Sequence, residues 1–136
     1  MTTILASTDT EVIIALEPYL SGLNYAVVVY GQQLIEENPD LGNRFMVAYL
    51  KGVRQYLEGP TERNLEIISA ATGVDAETLA GICWPYMRPD GVINYAGSLD
   101  WQNWELANDR LEAIVPEEVY WNRSFVDAAN EVLGAP

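Results

Sequence analysis

The chain has 136 residues and carries seven Lys and Arg against twenty Asp and Glu, a net charge of −13. It has no histidine and one cysteine, Cys83, which excludes a structural disulfide, a Cys/His zinc site and every catalytic scheme that relies on an imidazole. Four of the seven basic residues (Arg44, Lys51, Arg54 and Arg63) fall in one stretch, and with no basic stripe to displace counterions from phosphates, nucleic acid is not expected as a partner. The acidity suits solubility, or a carboxylate site for a hard cation.

In chain order, Thr8 or Asp9 caps a first helix over "TEVIIALEPYLSGL", with Val12, Ile13, Leu16 and Leu20 on one face and Pro18 kinking or ending it. Residues 25–31, "YAVVVYG", read as the one strand candidate, because three valines flanked by tyrosines favour a pleated setting. "QQLIEENPDL" reads as a helix closed by Asn38 and Pro39. Asn38 or Asp40 then opens the clearest helix, "LGNRFMVAYLKGVRQYLEG", on which Phe45, Tyr49, Val53 and Tyr56 keep helical rhythm before Gly59-Pro60 stops it.

Thr61 caps "ERNLEIISAATG", with Leu65, Ile68 and Ala71 on one side and Gly73 as its stop. Asp75 caps a short helix, "AETLAGICW", and "PYMRPDGVINYAGS" is a loop with a Pro-Asp-Gly turn. Ser98 or Asp100 starts "WQNWELANDRLEAI", and Pro116 opens a last helix through "EEVYWNRSFVDAANEVLG", broken near Asn122. The fold class is therefore mainly α: a single domain, residues 1–136, forming a compact bundle of six or seven short helices with at most one strand.

Three groups could carry chemistry. Glu105, Asp109 and Glu112, spaced i, i+4 and i+7, fall on one face of the predicted helix, where carboxylates repel unless a cation sits between them. Mg²⁺, Mn²⁺ or Ca²⁺ would suit such oxygen ligands, and Zn²⁺ could bind through carboxylates alone; a solvated face with Arg110 nearby is the plainer reading. Glu36, Glu37 and Asp40, like Glu117 and Glu118, sit where negative charge favours a helix N-terminus. The aromatics Trp84, Tyr86, Tyr95, Trp101, Trp104, Tyr120 and Trp121 crowd the second half. Trp101 and Trp104 would pack in the core or in a dimer interface, or wall a small organic ligand with tyrosine hydroxyls as polar handles. Cys83 is expected to be buried and apolar, since no histidine can activate it.

"YAVVVYGQQLIEENPDLGNRFMVAYLKGVRQY", "ATGVDAETL", "PYMRPDGVIN" and "SLDWQNWELANDRL" together resemble the C-terminal part of solute-binding proteins of ABC importers. The family in question binds nitrate, sulfonates and thiamine-pyrimidine precursors. The resemblance runs over roughly residues 17–133, and includes Arg88 to Asn94 as a turn similar to the family's "DPxGxIN". It implies two α/β lobes closing on a ligand, of which this chain encodes a truncated part of one, remodelled into helices. Full-length relatives would be extracytoplasmic. The first residues, "MTTILASTDTE", have neither the basic start nor the apolar stretch of a secretory signal, and no run approaches the roughly 20 apolar residues of a membrane span. A cytoplasmic protein without membrane insertion is expected.

Helices stripped of a sheet expose apolar faces at about 25 cal/mol per Å², so a homodimer is expected. Residues 25–31 then either pair across the dimer axis or join the following helix, and backbone satisfaction within the segment favours the helix. Two functions follow. One is residual binding of a small anionic or aromatic molecule by a derivative of the solute-binding protein. The alternative is a metal-assisted hydrolase of esters or phosphoesters at the dimer interface, with Glu105, Asp109 and Glu112 as ligands and Tyr120 assisting the leaving group. A purely structural piece is the third reading.

Overall fold

Short polar side chains set most of the helix starts. A computed structural model describes residues 9, 11, 13–15, 18 and 22–136, and the first helix expected from the sequence falls largely outside them. Helix α1, Pro39–Tyr56, opens where the Asn38 side chain accepts from the Leu41 amide at 3.2 Å, with proline in the first turn. Helix α2, Glu62–Thr72, opens on Thr61, which accepts from the Asn64 amide, and closes on Gly73 at φ 73°. Asp75 accepts from both the amide and the hydroxyl of Thr78, each at 2.8 Å, to start α3, Ala76–Gly81. Helix α4 is Tyr95–Ala107, capped by Asn94. After Pro116 come α5, Glu117–Tyr120, and α6, Ser124–Leu133, separated at residues 121–123 as the break near Asn122 predicts.

The fold is thus mainly α, with six α-helices and one π-helical turn, Gln33–Glu37, and no strand among the described residues. Three local expectations are corrected. Residues 25–31 are neither helix nor strand. Val27 and Val29 are 51% and 82% exposed, so water can satisfy a backbone that has no sheet to join, while valine gives little reason to wind into helix. The segment that follows is a π-helical turn, ended at Asn38 by its amide donating to the Gln33 carbonyl at 2.9 Å. Helix α4 starts at Tyr95, three residues before Ser98, and stops at Ala107, well before Ile114.

The core lies between α1 and α6. Met46 and Leu50 from α1 pack with Phe125, Val126 and Ala129 from α6, and Tyr30, Val47, Val92, Trp121 and Leu133 close around them. Leu50 is fully buried. The inward stripe of α1 is therefore Gly42, Met46, Leu50 and Val53, and the expected stripe through Phe45 and Tyr49 is wrong by about one ridge: those two rings are exposed. Both sets repeat at helical spacing, so periodicity alone does not separate them.

One polar residue ties this seam to the loop before α4. The Arg54 guanidinium donates to the carbonyls of Pro89, Leu133 and Gly134 and to Asn130 Oδ1, at 2.9 to 3.3 Å. It thereby satisfies the C-terminal carbonyls of α6 with a cation. Asn130 Nδ2 donates in turn to the Asp90 carbonyl at 2.8 Å. The Pro89-Asp90-Gly91 turn is present, closed by the Gly91 amide on the Arg88 carbonyl at 3.1 Å. Gly91 has φ 69°, and a Cβ there would come within 2.8 Å of Leu50 Cδ2, so the turn is seated directly on the core. Among the described residues, no helix is long and apolar enough to cross a membrane.

Arg54→Ala should lower stability by about 2–3 kcal/mol in urea titrations, because it strands several acceptors at once, and Arg54→Lys should recover less than half of that loss. Acid should also weaken the fold. Asp90 is held below the ordinary carboxylate range chiefly by hydrogen bonds from Arg88, and Asp75 chiefly by the Thr78 amide. A depressed native pKa adds stability above the unfolded value near ~4 and loses it as pH falls further. Urea midpoints should therefore stay level from about pH 7 to 5 and drop below about 4, with a shallower drop in Asp90→Asn.

Candidate ligand-binding cleft

Asn24, in the loop before the valine run, connects to the start of α4 through its side chain. Asn24 Oδ1 accepts from the Asn94 amide at 3.1 Å, while Asn24 Nδ2 donates to the Asn94 carbonyl at 3.0 Å and to Ser98 Oγ at 2.9 Å. Asn94 Nδ2 donates back to the Gly22 carbonyl at 2.9 Å. The two segments approach so closely that a Cβ on Gly97 would lie 2.0 Å from the Gly22 carbonyl oxygen. Only glycine fits at that place in the first turn of α4.

This clasp sets the wall of a cleft of about 220 Å³, lined by Leu23, Asn24, Tyr25, Ser98, Trp101, Gln102 and Tyr120. Gln102, buried in α4, accepts from the Val115 amide at 2.7 Å and donates to the Val115 carbonyl at 3.4 Å. Tyr95 donates to the same carbonyl at 2.7 Å and meets the Tyr120 ring at 5.8 Å. The loop before α5 is thereby fixed to α4, and Tyr120 lines the cleft together with Trp101. Neither the Tyr120 hydroxyl nor the Trp101 indole N–H has a hydrogen-bond partner among the described residues. None of the described lining residues is charged. Aromatic walls with a few oriented amide and hydroxyl groups are the usual makeup of a small-molecule site.

Of the residues singled out in the sequence, Tyr120 and Trp101 reach this cleft, and Glu105, Asp109 and Glu112 do not line it. The one-face argument for those three carboxylates also fails, because α4 ends before two of them. Asp109 adopts φ 55°, its amide bonded to the Leu106 carbonyl and the Arg110 amide to the Glu105 carbonyl at 2.9 Å. That pair of bonds is a Schellman stop with aspartate in the left-handed position usually held by glycine. Glu105 is instead paired with Arg110 at 2.9 Å, and the Arg110 guanidinium stacks 4.0 Å above the Trp104 ring. Among the described residues no group of three or more Asp, Glu or Cys could hold a metal ion.

The remaining expectations resolve locally. Asp40, Glu117 and Glu118 do occupy first turns of α1 and α5, and Glu36 accepts from Gln32 at 2.8 Å. Trp101 and Trp104 meet at 4.9 Å with their planes tilted by 35°, but each is 46% exposed, so they are not core. Cys83 is exposed, contrary to expectation; α3 ends at Gly81, two residues short of it, leaving it in the loop. Sequence reasoning missed Asn24, Ser98 and Gln102. The only local signal was Asn94 placed three residues before Gly97, a helix cap followed by a small residue.

No protein-family model, curated protein or solved structure matches this chain.

Asp109→Gly should raise stability by about 0.5 kcal/mol in thermal or urea unfolding, since the left-handed stop suits glycine better. A carboxylate needed for a cation would give the opposite sign in the presence of that cation.

Proposed function

We propose that this protein is a small-molecule-binding homodimer, derived from the second half of an ABC-importer solute-binding protein, and that its cleft takes an uncharged planar heterocycle. The observation that carries the reading is the lining: Trp101, Tyr120 and Tyr25 with Asn24, Ser98 and Gln102, and no charged side chain among the described residues. A flat ring can slide between the indole and the phenol, and its edge can meet the Tyr120 hydroxyl and the Trp101 N–H. Of the ligand classes that the resemblance implies, nitrate and sulfonates need a cation or a well-developed cradle of donors. The cleft offers no Lys or Arg, in a chain with net charge −13. A pyrimidine-like ring needs neither. The resemblance of the "AYLKGVRQY" and "RPDGVIN" segments supports the ancestry, and the exposed apolar surface supports the dimer.

Titration with an aminopyrimidine should quench tryptophan fluorescence saturably and raise Tm, whereas nitrate and an alkylsulfonate should do neither. Trp101→Ala should weaken the affinity by about tenfold or more, a loss on the order of 1.4 kcal/mol, with the unfolding midpoint unchanged. Saturable binding of nitrate or sulfonate in preference to the heterocycle would contradict the assignment.

A further inference from the structure

Trp101 supplies an aromatic wall of the cleft, yet it is half exposed and its one ring contact among the described residues is Trp104. The two indoles, three residues apart on α4, lie 4.9 Å apart with their planes tilted by 35°. Trp104 is no more buried than Trp101, and what holds it comes from the turn after the helix. The Arg110 guanidinium carbon sits over the Trp104 ring, 4.0 Å from its centre, and Arg110 Nε donates to the Glu105 carboxylate at 2.9 Å. A planar, delocalised cation suits the face of an indole better than a compact ammonium does. The backbone brings Arg110 to that place. Asp109 turns left-handed at φ 55°, and the Arg110 amide donates to the Glu105 carbonyl at 2.9 Å, so the chain turns back on the last turn of α4. Asn108 Nδ2 adds a bond to the Trp104 carbonyl at 2.7 Å.

We propose, resting on the heterocycle reading above, that Arg110 is a positioning residue for the cleft, acting through Trp104 to hold the Trp101 ring as a fixed wall. The benefit is entropic. An indole on a helix surface moves among rotamers, and a ligand that needs one of them bears the cost of selecting it. Trp104 blocks the Trp101 rotamers that would cross it, and Arg110, oriented by Glu105, keeps Trp104 in place. Neither Trp104 nor Arg110 lines the cleft, so their effect on binding passes through Trp101. The carboxylate also neutralises the guanidinium, and the row therefore sets no net charge beside a cleft for an uncharged ring.

Two indoles this close couple optically, so far-ultraviolet circular dichroism of the ligand-free chain should show an exciton couplet that Trp104→Phe removes. Arg110→Ala should shrink that couplet clearly and weaken the affinity for an aminopyrimidine about threefold, with the urea midpoint little changed. Arg110→Lys, which keeps a cation near the ring but not the planar fork, should recover part of both. Should Arg110→Ala fail to fold, Glu105→Gln replaces it: the guanidinium loses the carboxylate that orients it, and couplet and affinity should fall together. A couplet that Arg110→Ala leaves at full size overturns the proposal whatever the ligand does, and so does a reduced couplet with unchanged affinity. A urea midpoint that falls while the couplet stays would mark Arg110 as a plain helix stop, which overturns it too. Absence of aminopyrimidine binding by the unaltered chain contradicts the heterocycle reading instead, and the ligand-free couplet then decides the positioning on its own.

Discussion

The structure hangs on two residues one turn apart on a single helix. Leu50 is the fully buried side chain at the centre of the core, and Arg54 below it grips the end of the last helix and the loop before α4. Together they fasten three separate parts of the chain: α1, the Pro-Asp-Gly turn and α6. Only seven apolar side chains are buried among the described residues, while nineteen large apolar ones are exposed. With so little core, a polar fork that satisfies four acceptors at once, most of them part-buried, carries an unusual share of the cohesion. It also sets the limits of the molecule, because whatever does not touch this seam is held by other means.

The cleft is held by those other means. Its wall depends on the Asn24–Asn94 exchange of hydrogen bonds and on the Gln102–Val115 pair, not on apolar burial. A part-buried hydrogen bond contributes about 1 kcal/mol, so this end of the molecule, with little apolar burial behind it, should open at lower cost than the seam. If the cleft takes the ligand proposed above, that would suit binding, since the segment around residues 23–25 could close on α4 without disturbing the core.

The sequence made local chemistry legible and distant pairing opaque. Asn38, Thr61, Asp75 and Gly73 announce helix boundaries because each acts within three residues of itself, and the Pro-Asp-Gly turn and the break near Asn122 are local in the same way. The inward face of α1 was misjudged because two neighbouring ridges, one through Met46 and Leu50 and one through Phe45 and Tyr49, obey the same period. Asp109 misled for a different reason: aspartate is a plausible helix residue, and only the bond from Arg110 to Glu105 reveals that the chain has already turned. In the cleft, Trp101 and Tyr120 stood out by residue type, whereas Asn24 and Ser98 become partners only across a separation of 74 positions that no window of sequence contains. The valine run is the instructive failure, because propensity names a strand but cannot supply the neighbour that a strand requires.

Native-state amide hydrogen exchange tests this ordering of stability most directly. Amides of residues 46–54 in α1 and 126–133 in α6 should exchange slowest and open together at the free energy of global unfolding. Those of α4 should exchange through a lower-energy opening, which a bound heterocycle would slow. If α4 is instead the most protected helix, or if α1 and α6 open at different free energies, the seam through Leu50 and Arg54 is not what holds the fold.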